Sequence, residues 1–71
     1  MFPLSMANSN QSYLVKKISG NSETRHFLEK LGFVENTNVE LVSSHNGDVI
    51  VNIKDSRVAI NEDMARHILI A

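Results

Sequence analysis

VELVSSHNGDVIVNI, residues 39–53, decides the fold. At its centre Asn46-Gly47 is the strongest short hairpin signal a sequence offers, because a two-residue type I′ turn needs two residues that accept positive φ. The flanking segments 39–44 and 49–53 are rich in β-branched residues, as strands prefer. In the second of them Val49, Val51 and Ile53 point one way and Ile50 and Asn52 the other, which gives one buried face. An antiparallel hairpin therefore sits at the middle of the chain.

Working toward the C-terminus, Lys54-Asp55-Ser56 turns the chain into a short strand at 57–60. Asn61, Glu62 and Asp63 then supply a cap and two acids suited to the positive end of a helix dipole, so one helical turn is expected through Met64, Ala65 and Arg66. Ile68, Leu69 and Ile70 read as a last strand. Toward the N-terminus, a polar turn at 35–38 separates the hairpin from a helix at 22–31, with Phe27, Leu28 and Leu31 as its apolar face. Asn21 or Ser22 caps that helix, Glu23 and Lys30 suit its two ends, and Gly32 followed by Phe33 predicts a Schellman ending packed on Leu28. Residues 13–18, Tyr13-Leu14-Val15-Lys16-Lys17-Ile18, form the first strand, closed by Ser19-Gly20-Asn21. The first dozen residues read as loop, with Phe2, Leu4 and Met6 available to pin it. The expected fold is mainly β with one inserted helix: a single domain over residues 1–71, built as a small SH3-like barrel of about five strands plus a short C-terminal helical turn.

Composition narrows the function. A chain of 71 residues hides only about 60% of the surface its unfolded form exposes, and without cysteine it has neither disulfide nor thiolate zinc to help. Its core must hold it together, and a hydrophobic share of 42% with mixed charge suits a folded domain. Seven basic and eight acidic residues leave a net charge of −1, which argues against nucleic acid as partner. No segment has the form of a signal peptide or the length of a membrane span, so a cytoplasmic protein without membrane insertion is expected.

Little in the sequence points to catalysis. Asp48, Asp55, Glu62 and Asp63 each stand beside a turn or helix start, where an acid has a structural task. Serines lack a nucleophile elbow, and the three glycines are too scattered to cradle phosphate. The expectation is a protein that is not an enzyme and carries no cofactor. His26, His45 and His67 are the candidates for a metal site, although no two stand at ligand spacing. Arg25 and Arg57 are the candidates for partner contact. Arg57 stands at the start of a strand just after a turn, where a guanidinium either anchors a partner or forms a local salt bridge.

The order of these segments resembles the FeoA family, ferrous iron transport protein A. The resemblance runs through Pro3-Leu4, the strand at 13–18, and Arg25-His26-Phe27-Leu28-Glu29-Lys30-Leu31-Gly32-Phe33, which is similar to the family's Leu-x-x-(Leu/Met)-Gly-(Phe/Leu) signature. It continues through Val39-Glu40-Leu41-Val42, Val49-Ile50-Val51-Asn52-Ile53, Arg57-Val58-Ala59-Ile60 and Ala65-Arg66-His67-Ile68. Family glycines are replaced within Asn8-Ser9-Asn10 and at Asn21, and a Pro-Gly pair near Glu35-Asn36; asparagine tolerates the same left-handed backbone. The resemblance implies an SH3-like fold and a cytosolic accessory of bacterial ferrous iron uptake that docks on the FeoB membrane transporter, with no catalytic residue. Two alternatives accompany it. One is the SH3-like regulatory module of DtxR-type iron-dependent repressors, against which the start at Met1 and the lack of a helix-turn-helix count. The other is direct transition-metal binding. Exposed strand edges also allow weak self-association.

Overall fold

The computed structural model describes all residues, Met1–Ala71. Six strands appear: β1 (Phe2–Pro3), β2 (Gln11–Ile18), β3 (Asn38–His45), β4 (Asp48–Ile53), β5 (Ser56–Ile60) and β6 (Ile68–Ile70). Helix α1 (Ser22–Leu31) joins β2 to β3, α2 (Glu62–Ala65) joins β5 to β6, and a 3-10 turn covers Leu4–Met6. The strands form one antiparallel sheet in the order β1-β6-β2-β3-β4-β5.

The sheet curls because β2 serves two neighbours. Its first half pairs with β3, from Gln11 opposite Leu41 to Leu14 opposite Asn38. Its second half pairs with β6, and the register slips between Val15 and Lys17. Such a bulge bends a strand and increases its twist. It also explains why Lys16 and Lys17 are both exposed where strict alternation would bury one. A second slip, between Leu41 and Ser43, bends β3 against β4 in the same way. Fourteen apolar residues fill the resulting concavity, among them Val15, Phe33, Leu41, Val51, Ile68 and Ile70, with no buried polar side chain.

Two expectations need correction. Residues 2–3 are a strand and not loop: Phe2 lies opposite Ile70 and Pro3 opposite Leu69. A two-residue edge strand has no periodicity to read, and proline is tolerated there because its missing N–H faces outward. Of the three side chains expected to pin this segment, Leu4 is fully buried while Met6 is 71% exposed. Phe2 instead meets the edge of the Tyr13 ring, centroids 5.7 Å apart. The second correction concerns α1, whose only buried residue is Leu28. Phe27 is 48% exposed, because it stands one helical step of about 100° from Leu28, the residue the helix buries.

The helix ends are as expected. Asn21 Oδ1 accepts the Thr24 N–H at 2.8 Å. Gly32 adopts φ 110°, its N–H reaching Glu29 O at 3.0 Å while the Phe33 N–H reaches Leu28 O at 3.1 Å, the paired bonds of a Schellman motif.

Candidate functional site

No polar side chain is buried, so every polar side chain that could bind or react is accessible at the surface. Three surface regions carry chemistry.

On the outer face of the sheet, β4 and β5 place Ile50 opposite Ala59 and Asn52 opposite Arg57. Strand alternation buries Val49, Val51 and Ile53 and leaves Ile50 38% exposed. A hollow of about 480 Å³ opens beside it, with His45, Asp48, Ile50, Ala59, Ile60 and Asn61 in its lining. Next to the hollow, Arg57 Nε donates to Asn52 Oδ1 at 3.0 Å, and Asn52 Nδ2 donates to Glu40 Oε1 at 2.8 Å. The guanidinium therefore meets a neutral amide, and the one salt bridge of the molecule lies elsewhere, between Arg66 and Glu62 at 2.9 Å. That pair's hydrogen bond and charge hold Arg66 above its ordinary pKa, so it stays a cation.

The second region is a charged hollow of about 410 Å³ between β2 and α1, where Arg25 and Lys17 face Glu29 and Glu35. Its two cations and two acids offset one another. The third is a smaller depression of about 260 Å³ between the helices, lined by Glu23, Thr24, Phe27 and Met64.

The structure scatters the three histidines. His26 is exposed on α1, His45 ends β3, and His67 is half-buried before β6. His45 Nε2 lies 3.3 Å from Asn46 Nδ2, and His67 Nδ1 lies 3.2 Å from Ser19 Oγ. No three histidine, aspartate or glutamate side chains gather as metal ligands would. Of the acids weighed for acid–base work, Asp48 on β4 accepts the Glu62 N–H at 2.7 Å, beside Asn61, which caps α2 by accepting the Met64 N–H at 3.0 Å. Glu62 holds Arg66, and Asp55 lies in a turn at φ 48°. Ile50 and the hollow beside it were not singled out by sequence reasoning, although the alternation of 49–53 carried the signal.

Comparison with known proteins agrees across the chain. The model of the FeoA domain matches residues 2–71. A Methanocaldococcus jannaschii protein named "Putative Fe(2+) transport protein A" is 29% identical over 70 residues, covering 99% of this chain and 85% of that one. Among solved structures, the zinc complex of Stenotrophomonas maltophilia FeoA, described as a procaryotic SH3 domain protein, superposes with a TM-score of 0.86 at 22% identity. The match covers 100% of this chain and 91% of that one. A manganese-dependent transcriptional repressor gives a TM-score of 0.90 at 15% identity, with 99% of this chain laid on 40% of the repressor. At such identities the two structures establish a shared SH3-like fold. No helix here is long and apolar enough to cross a membrane.

Proposed function

We propose that this chain, which belongs to the FeoA domain family, is a cytoplasmic accessory of ferrous iron uptake that acts by docking on the cytosolic part of a FeoB-type membrane transporter. The observation that carries the reading is the family match along residues 2–71, joined by a relative named for Fe(2+) transport. The physical setting supports it. Fourteen apolar residues form a core without a buried polar group, and the hollows lie on the surface, where a partner reaches them. Docking changes a transporter only if the domain binds one of its states more tightly than another, since equal affinity shifts nothing.

Calorimetric titration of the transporter's cytosolic part with this chain, in its nucleotide-free, GDP and GTP forms, tests the reading. The expected result is saturable heat with an affinity that depends on the nucleotide; no heat in any form removes the proposal. A regulatory module like that of metal-dependent repressors is the second reading, favoured by the superposition on the manganese-dependent repressor. Absence of heat with the transporter, together with a genomic position beside a DNA-binding segment, would favour it.

A further inference from the structure

We propose that the free edge of β5, together with the hollow beside Ile50, is a strand-addition site for an extended segment of a partner protein carrying an acidic and a large apolar residue two positions apart. It rests on the docking reading above and names the surface and the chemistry that docking would use.

Lys54-Asp55 is a two-residue loop closed by Ile53 opposite Ser56. Such a closing pair exchanges both of its backbone hydrogen bonds, and the pairs alternate from there. Val51 with Val58 and Val49 with Ile60 are therefore bonded pairs, while Arg57 and Ala59 turn their N–H and C=O groups away from β4. No strand lies beyond β5 in the sheet, and no turn, loop or cap hydrogen bond uses the backbone of Arg57 or Ala59. Both residues are exposed. An open row of this kind is completed by another extended backbone.

Side chains on the outer face say which backbone. Residues at i and i+2 of an added strand would lie beside Arg57 and Ala59. Arg57 has one hydrogen bond, through Nε to a neutral amide, and no ion pair, so a carboxylate beside it finds an open guanidinium. Ala59 is small, and behind it Ile50 borders a hollow of about 480 Å³. A large apolar side chain beside Ala59 reaches across its methyl group onto Ile50. A second copy is the poorer occupant: the edge Ser56–Ile60 carries no acidic residue, so a copy of it laid alongside offers Arg57 no carboxylate.

The test is an amide NMR titration of the full chain with the synthetic peptide Thr-Val-Glu-Val-Phe-Val-Thr. Two control peptides carry Lys in place of Glu, or N-methyl groups on the edge-facing residues. The expected result is saturable movement of the Arg57, Ala59 and Ile50 amides, roughly tenfold weaker binding after N-methylation, and weaker binding of the Lys peptide. Ala59→Pro removes the outward N–H at an edge position where proline is tolerated and should abolish the shifts. Should that variant fail to fold, Arg57→Ala must still erase the preference for Glu over Lys. Shifts confined to α1, equal binding of the N-methylated peptide, or no saturable shift would overturn the site. So would broadening of the same amides with chain concentration alone, which would give the edge to a second copy. Docking on the transporter with shifts elsewhere would sink this site and leave the functional reading standing. Peptide binding without any transporter binding would do the reverse.

Discussion

The two hairpin turns share a shape and differ in almost everything else. Asn46 and Gly47 adopt φ 53° and 91°, and Lys54 and Asp55 adopt φ 46° and 48°, so both loops have positive φ at both central residues. The first uses the residues that conformation prefers, whereas the second places a lysine where a Cβ costs about 1–2 kcal/mol. Their surroundings differ as well. The first turn is pressed onto α2, with Asp48 accepting the Glu62 N–H at 2.7 Å and Gly47 so close to Glu62 that a Cβ would collide with its Cγ. The second turn is free of such an anchor and is held by the strand pairing it closes, Ile53 with Ser56. A turn can thus be specified by its own residues or imposed by the sheet around it, and only the first kind can be tied tightly to a neighbour.

Gly47→Ala should give the largest effect, a loss of about 3 kcal/mol from left-handed strain and overpacking together, read from denaturant midpoints at constant slope. In the double variant with Glu62→Ala the loss should fall to about 1–2 kcal/mol, because the collision with Cγ is gone, although the Cβ of residue 62 stays 3.0 Å from the new methyl group, and the exposed Arg66 pair is worth little. An undiminished loss would show that the anchor contributes nothing and would erase the contrast.

Gly32→Ala sharpens the comparison from the other side. Gly32 also has positive φ, but a Cβ there would meet the Lys54 side chain at an ordinary 3.6 Å, so strain alone applies and about 1 kcal/mol should be lost. Asp48→Ala should cost somewhat less, roughly 0.5–1 kcal/mol, by removing the acceptor of the Glu62 N–H while Asn61 Oδ1 still accepts the Met64 N–H at the helix start. Its effect on hydrogen exchange should centre on residues 62–65. Smallest of all, Lys54→Asn should raise stability by about 0.5 kcal/mol, since asparagine accepts the left-handed backbone more readily. A destabilisation on thermal melting would mean that the Lys54 stem, lying near Gly32, matters more than its backbone.

The same contrast governs what could be read from the residues. Helix α1 ends where Asn21 and Gly32 place its caps, and β6 occupies Ile68–Ile70 as its apolar run requires. Within Asn8-Ser9-Asn10 and Glu35-Asn36, where the resemblance led to an expected tolerance of left-handed backbone, Asn10 and Asn36 have φ 64° and 68°. Asn21 does not follow them: it is extended at φ −77° and spends its side chain on the helix cap. Features set by distant partners stayed out of reach. β1 exists only because β6 lies beside it, and Asp48 accepts an N–H at a helix start 14 positions away. Phe27 sits on the helix's apolar side in sequence, yet α1 turns Leu28 and not Phe27 into the core. The bulges after Val15 and Leu41 left broken alternation in the chain, Lys16-Lys17 being the clearest trace. The candidate site was half legible. Arg57 stood out by position, while Ile50 and the free backbone beside it needed the strand order.

Hydrogen exchange of this chain, alone and saturated with the transporter's cytosolic part, addresses most directly whether it works by gripping another protein. The account predicts strong slowing at the amides of Arg57 and Ala59, with the already protected core amides of Val51 and Ile68 unchanged. Identical exchange at every amide in the presence of excess partner would contradict it.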